Sequence, residues 1–395
     1  MRFFLQMGHG MMAMDKELIG RFNDGRNAGV IMWPRTVKRS QVEHHAKEIL
    51  NAGASVLFDT CFYLPRTGLP AILDYPYWSG TTYDTIDFSG QAGKDFCKRV
   101  IDYQVNTLHA TEILLPGAYT NSITNQWLEI HHLFAEIAGE MQLDRPIYST
   151  IALGPDVILN QSALDNALNE ITAYPTSGIY FVYHPGKDAY LPTNQLFLVN
   201  LLSAFLSLSL ADKAVILGYA NQADILFAAT GVQTLASGNF RNVRNFDPAI
   251  FDVVPDAIAS RKTWYYDGQS MGEYLPEQLG IAYQRFGMGG IFGPSTPYVD
   301  SLLKAPNPAI VNLQEPDAFK HFLTVLREQW LQFRGIDASQ RLDAVEDFFR
   351  EVKNYQQQIQ AKRFTLGRPF TDALSAIEDA ITSFRVLEAD RLQLL

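Results

Sequence analysis

Eight short apolar runs recur between residues 3 and 236, and their spacing constrains the fold more than any other feature. They fall at residues 3–7, 29–33, 55–58, 112–115, 147–153, 178–183, 214–217 and 233–236. Several are apolar on both faces, as expected of parallel strands covered by helices on both sides. The stretches between them carry helical spacing. Val42, Ala46, Ile49 and Leu50 share one side of a pattern that stops before Gly53, and that leaves His44 and His45 as surface positions. Trp127, Ile130, Leu133, Phe134 and Ile137 do the same over 124–141, and 222–230 reads as a short helix closed by Gly231. Eight strands with intervening helices predict an α/β fold, a (β/α)8 TIM-type barrel over residues 1–300. No G-x-G-x-x-G follows the first strand, which turns the reading away from a dinucleotide-binding sheet.

From residue 316 onward the pattern changes. Residues 316–334, 338–362 and 371–394 read as three amphipathic helices, a C-terminal extension over 316–395. It is expected either to cap the barrel or to join it to a second copy or a protein partner. The run 196–210 is apolar but about one turn short of the roughly 20 residues that span a bilayer, so it reads as a buried helix. The first dozen residues, MRFFLQMGHGMM, lack an uninterrupted apolar core of the signal-peptide kind. With only Cys61 and Cys97, a disulfide framework is excluded; a cytoplasmic protein with reduced thiols and no membrane contact is expected.

Charge narrows the partners. The 32 basic side chains stand against 42 acidic ones, a net charge of −10. A uniformly basic nucleic-acid coat is thereby excluded, and a local basic patch is not. Arg241, Arg244, Arg261 and Lys262 form one such concentration, with Tyr119, Trp264, Tyr265 and Tyr266 as stacking surfaces for unstacked bases.

In a barrel, the residues just past each strand's C-terminal end face the site. Those positions hold His9, Arg35, Asp59, Tyr119 with Asn121, Asp156, His184 with Lys187, Tyr219 with Asn221, and Asn239 with Arg241. Such a density of polar and aromatic groups suits a small-molecule pocket. Asp59 follows an apolar strand directly, and a carboxylate placed there must be paired or working; its other reading is a cap on the following turn. His9 sits between two glycines that let the backbone approach a ligand closely. No metal-ligand motif is present, so neither metal nor cofactor is expected.

Two regions bear a resemblance to a known family. The segment ValLeuPheAspThrCysPheTyr at 56–63 is similar to a strand ending in Asp-Ser-Gly-Gly-Phe-Gln in the tRNA-guanine transglycosylase superfamily. The segment 217–244 is similar to that family's run from a Met-Gly-Val-Gly turn through a short helix to a strand followed by Pro-Thr-Arg. Gly218, Asp224, Leu226, Gly231, Val232, Arg241 and Arg244 match in type. These are (β/α)8 enzymes that exchange guanine for a 7-deazaguanine base, and they include relatives that modify DNA. The resemblance implies that Asp59 contacts the base and that Tyr183 and Gly218 lie beside it. The family's nucleophilic aspartate falls near Ala236, with Ser237 beside it, and the family's zinc site has no counterpart here. A base-binding barrel is therefore expected, either in nucleic-acid modification or as a catalytically degenerate subunit of a modification or defence assembly. Its catalytic candidates are Asp59, His9 and Ser237. Its substrate candidates are Tyr119, Asn121, Asp156, Tyr183, His184, Gly218, Tyr219 and Asn239. Two other readings stand beside it: an unrelated barrel hydrolase pairing Asp59 with Asp156 or His184, and an adaptor acting through the C-terminal helices.

Overall fold

A computed structural model describes residues 1–64, 69–78, 88–187, 189–252 and 262–395. The eight apolar runs form strands in the order the spacing predicts. β1 (Arg2–Gln6), β2 (Ala28–Met32) and β3 (Ser55–Phe58) lie side by side. β4 (Ile113–Leu114) and β5 (Tyr119–Thr120) pair with the two ends of β6 (Ile147–Leu153). β7 (Gly178–Tyr183), β8 (Ala214–Leu217) and β9 (Thr234–Ser237) continue the ring, and β9 returns to β1. Every pairing in this sheet is parallel. The remaining seam, between β3 and β4, is bridged where the Thr111 amide donates to the Val56 carbonyl at 2.9 Å. The result is a nearly closed (β/α)8 barrel.

The strands form because both their faces are covered. All residues of β2, β6 and β7 are buried. The covering helices start at side-chain caps: Thr124, Asn160 and Asn194 each accept an amide of the first turn, which satisfies an otherwise orphaned donor. The helix Gln195–Leu210 is apolar nearly all round because it lies between the barrel and the C-terminal helix Thr371–Leu387. Among the described residues, no helix is long and apolar enough to cross a membrane.

The fourth strand differs from its sequence reading of 112–115. Pro116 and Gly117 break it, and Gly117 lies so close to Thr150 that an added Cβ would stand 2.4 Å from the Thr150 carbonyl oxygen. The chain rejoins the β6 edge at Tyr119. The N-terminal end of the barrel is tied by Arg2, whose guanidinium reaches Glu112 at 2.6 Å, Thr234 at 2.9 Å and Tyr148 at 3.3 Å.

All three C-terminal helices pack on the barrel. Glu315–Leu331 occupies the outer layer beside β1 and the helix Met12–Phe22, and its Trp330 indole donates to the Arg2 carbonyl at 2.9 Å. Ala338–Ala361 covers the 3-10 segment Gln222–Thr230. His45 departs from its surface assignment. It is wholly buried, with Nε2 3.2 Å from Asp15 Oδ2 across the interface of the first two helices.

Candidate functional site

Asp59 sits at the C-terminal end of β3 and reaches the barrel interior. Its Oδ2 accepts from Tyr63 at 2.7 Å, Tyr219 at 2.9 Å and Tyr180 at 3.3 Å, and its Oδ1 accepts the Cys61 amide at 2.9 Å. The Tyr180 hydroxyl also lies 3.0 Å from Gln6 Oε1 on β1. Donors from three places round the ring, after β3, within β7 and after β8, thus converge on one carboxylate, and Gln6 of β1 supports Tyr180 from behind. No cation pairs with it among the described residues, and burial raises its pKa while the four hydrogen bonds oppose the rise.

The backbone is arranged to make this convergence possible. Cys61 (φ 61°) and Tyr219 (φ 55°) both adopt left-handed conformations, which cost a side-chain-bearing residue of the order of 1–3 kcal/mol each. Gly218 makes room for Tyr180: an added Cβ there would lie 2.4 Å from the Tyr180 ring. Strain of this kind, held at a strand end beside a buried charge, is characteristic of a site rather than of plain packing.

Aromatic rings pack over the tyrosine cage on its outer side. Phe246 lies 4.8 Å from the Tyr63 ring and 5.3 Å from Tyr219, and Phe251 lies 4.9 Å from Tyr63. Both come from the segment after β9. Arg35 pins it by donating from Nε to the Ile250 carbonyl at 2.6 Å.

The same segment borders two open spaces. On one side is a cleft of about 840 Å³ containing Arg241, Arg244, Lys262 and Arg368 against Glu273 and Glu315. Aromatic side chains complete it. Arg368 lies 3.8 Å over Trp264 and Arg244 3.6 Å over Phe322. Arg244 is buried, donates to the Gly238 carbonyl at 3.0 Å and stands 3.5 Å from Glu273. On the other side is a polar cavity of about 660 Å³ whose lining includes His184, Asn245 and Asp247, and Arg241 borders both spaces.

Among the basic candidates, the structure gathers Arg241, Arg244 and Lys262 in one cleft, and Arg261 lies outside the described residues. Of the stacking candidates, Trp264 and Tyr266 share that cleft. Tyr265 is buried on His321, and Tyr119 lies at the mouth against His184, ring centroids 6.3 Å apart. The three catalytic candidates are not brought together. Asp59 is in the tyrosine cage, and His9 is exposed. The Ser237 hydroxyl is buried and donates to the Ala220 carbonyl at 2.6 Å.

The substrate candidates divide into groups. Tyr219 and Gly218 belong to the cage. Tyr119 and His184 meet at the mouth, where burial pushes the Tyr119 hydroxyl up to about 12, with Asp156 and Asp247 adding to it, and burial lowers His184. Asn121 and Asp156 are exposed and bonded to each other, so neither reaches Asp59. Asn239 donates to the His9 carbonyl at 3.1 Å and lines the basic cleft. Tyr183 points outward, packing on Phe197 and Phe227 and donating to Asp224.

Strand alternation explains the last placement. Side chains of β7 alternate between the two faces, so Tyr180 points inward and Tyr183, an odd number of residues away, points to the helices. Sequence reading missed Tyr180, Tyr63, Gln6, Arg368 and Glu273. A polar Gln6 in an otherwise apolar strand was the signal available for the interior. Arg368 and Glu273 come from the C-terminal part of the chain, and no local pattern points to their meeting. No protein-family model matches this sequence, and no curated protein matches it either. Fold and site together define a parallel-strand barrel with a caged, wholly buried carboxylate beside a basic, aromatic cleft.

Proposed function

We propose that this chain is a tRNA-guanine transglycosylase-like barrel that binds guanine or a 7-deazaguanine base through Asp59. It acts in nucleic-acid base modification as a binding subunit. One observation carries the reading: a desolvated carboxylate at a strand end, held by hydroxyl donors from three separate places in the chain and, among the described residues, by no cation. A guanine edge presents two adjacent N–H donors, which a carboxylate accepts side by side. Such an edge supplies two donors in place of two of the three tyrosine hydroxyls, and the Phe246 and Phe251 rings offer faces for the base plane.

The basic cleft supports a nucleic-acid source for that base. Four cationic side chains against two carboxylates make it a positive patch on a protein of net charge −10, and the half-buried Trp264 ring supplies an aromatic surface at its edge. Base exchange is not part of the proposal. Serine is a poor nucleophile without a base to activate it, and the Ser237 hydroxyl is committed to a backbone carbonyl.

Thermal unfolding in the presence of guanine and of 7-deazaguanine tests the reading. At a hundred times Kd, either base should stabilise the wild type by about 2.7 kcal/mol. Asp59→Asn keeps the shape of the side chain and removes its charge, and it should abolish the effect. Equal stabilisation of the variant, or none of the wild type, contradicts it. For the cleft, binding of a single-stranded oligonucleotide should weaken with added salt and with Arg241→Ala; binding insensitive to both removes the nucleic-acid part.

A further inference from the structure

A second kind of cavity lies among the C-terminal elements. The hairpin of β10 (Tyr265–Asp267) and β11 (Gly272–Tyr274), the end of the helix Ala338–Ala361 and the loop 362–370 line a space of about 600 Å³. Glu273 and Arg368 face the basic cleft, while their neighbours Tyr274 and Pro369 line this cavity, as alternation along an extended chain requires. The structure assigns to it the binding of a small, neutral aromatic molecule that carries one N–H or O–H donor, with indole and phenol the simplest members. This does not depend on the base-binding reading.

The walls set the apolar, uncharged character of the ligand. Tyr274, Ile359, Phe364, Leu366, Pro369 and Phe370 supply them, and none of the described lining residues is charged. A charged ligand would lose its hydration there without gaining a counter-ion. Tyr274, Ile359 and Phe364 belong to a small apolar core of their own, and Phe370 belongs to the core of the barrel. The cavity therefore lies at the seam between two packed bodies, a common place for a small-molecule site. Its aromatic rings offer planar faces to a planar ligand.

One polar group at the floor supplies direction. Gln356 is 6% exposed and borders the cavity. Its side-chain nitrogen donates to the Ser270 carbonyl at 3.0 Å, and a carbonyl partner fixes which end of the amide is nitrogen. Oε1 is left as an acceptor that takes no hydrogen bond among the described residues, and it is not sealed off from the space it borders. A ligand N–H or O–H satisfies it. The frame is also built in advance. Glu273 and Arg368 exchange backbone hydrogen bonds at 3.0 and 2.8 Å, which ties the loop to the hairpin. Gly367 (φ 103°) lets that loop pass close to Tyr274, where an added Cβ would stand 2.5 Å from the ring.

Calorimetry on the full chain with indole and with benzothiophene, the same ring pair without the N–H, tests the assignment. Benzothiophene covers the Gln356 oxygen and gives it no donor, so the wild type should bind indole at least about tenfold more tightly. Gln356→Met keeps the length of the side chain and removes the acceptor; it should retain benzothiophene and bring the ratio towards one. Methyl resonances of the wild type locate the ligand without any variant. Indole should shift Ile359 and Leu366 and leave Ile151, inside the barrel wall, in place. No binding of indole, equal binding of the two compounds, a ratio unchanged in Gln356→Met, or shifts at Ile151 in place of Ile359 and Leu366 would each overturn the proposal.

Discussion

Asp59 and Asp224 are both wholly buried aspartates that accept a tyrosine hydroxyl, and they differ in where their partners come from. Asp224 is locally satisfied. Its Oδ2 takes the Asn221 amide three residues back at 2.7 Å, closing a capping box, and Tyr183 serves the other oxygen. Asp59 gathers Tyr63, Tyr180 and Tyr219 from three separate places in the chain, with two supporting residues held at positive φ. A carboxylate that serves its own turn is a cap. One that the fold reaches across a barrel to surround, at the cost of backbone strain, is a site candidate.

Truncation should separate the two most strongly. Asp59→Ala orphans several buried hydroxyls and should cost about 3–5 kcal/mol in urea unfolding, while Asp224→Ala loses a cap and one tyrosine bond and should cost about 1–2 kcal/mol. Equal losses break the distinction. Single hydroxyl deletions should reverse the order. Tyr183→Phe leaves Asp224 Oδ1 without a donor and should cost about 2 kcal/mol, whereas Tyr219→Phe leaves Asp59 its other donors and should cost about 1 kcal/mol. A larger loss from Tyr219→Phe would mean that the cage is not redundant.

Acidity sharpens the comparison further. Burial pushes the Asp224 carboxyl up to about 7 from the ordinary 3.8, so between those values the folded protein holds a proton that the unfolded chain has released. Stability contributed by this group therefore falls as pH rises through that window. Asp224→Asn should flatten the decline, seen as a smaller change in urea midpoint between about pH 4.5 and about pH 7.5 than in the wild type. An unchanged slope would place the titration elsewhere, with Asp59, raised in the same direction, the first alternative. The smallest effect belongs to His9→Ala. An exposed side chain remote from the cage should leave stability within about 0.5 kcal/mol and guanine binding unchanged, and a large loss of binding would move His9 into the site.

Much of the barrel was legible because parallel strands buried on both faces leave uninterrupted apolar runs, and the expected ranges for β3, β6, β7 and β8 coincide with the strands formed. Pro116 and Gly117 marked the break in the fourth strand, but a strand that stops and rejoins the same edge has no separate periodic signal. His45 was legible in principle: Val42, His45, Ala46 and Ile49 lie at the spacing of one buried helix face, and its partner Asp15 belongs to another helix. At the site, the strand-end rule located Asp59 and Tyr219. It could not locate Tyr180, which reaches the carboxylate from within its strand, across the barrel. Nor could it pair Arg368 with Trp264, because that stack joins distant parts of the chain.

The central claim is that Asp59, and not buried acidity in general, binds the base. Isothermal titration of 7-deazaguanine into the wild type, Asp59→Asn and Asp224→Asn addresses it directly. The expected result is one bound base per chain in the wild type and in Asp224→Asn, and none in Asp59→Asn. Binding that survives in Asp59→Asn, or is lost equally in both variants, would contradict it.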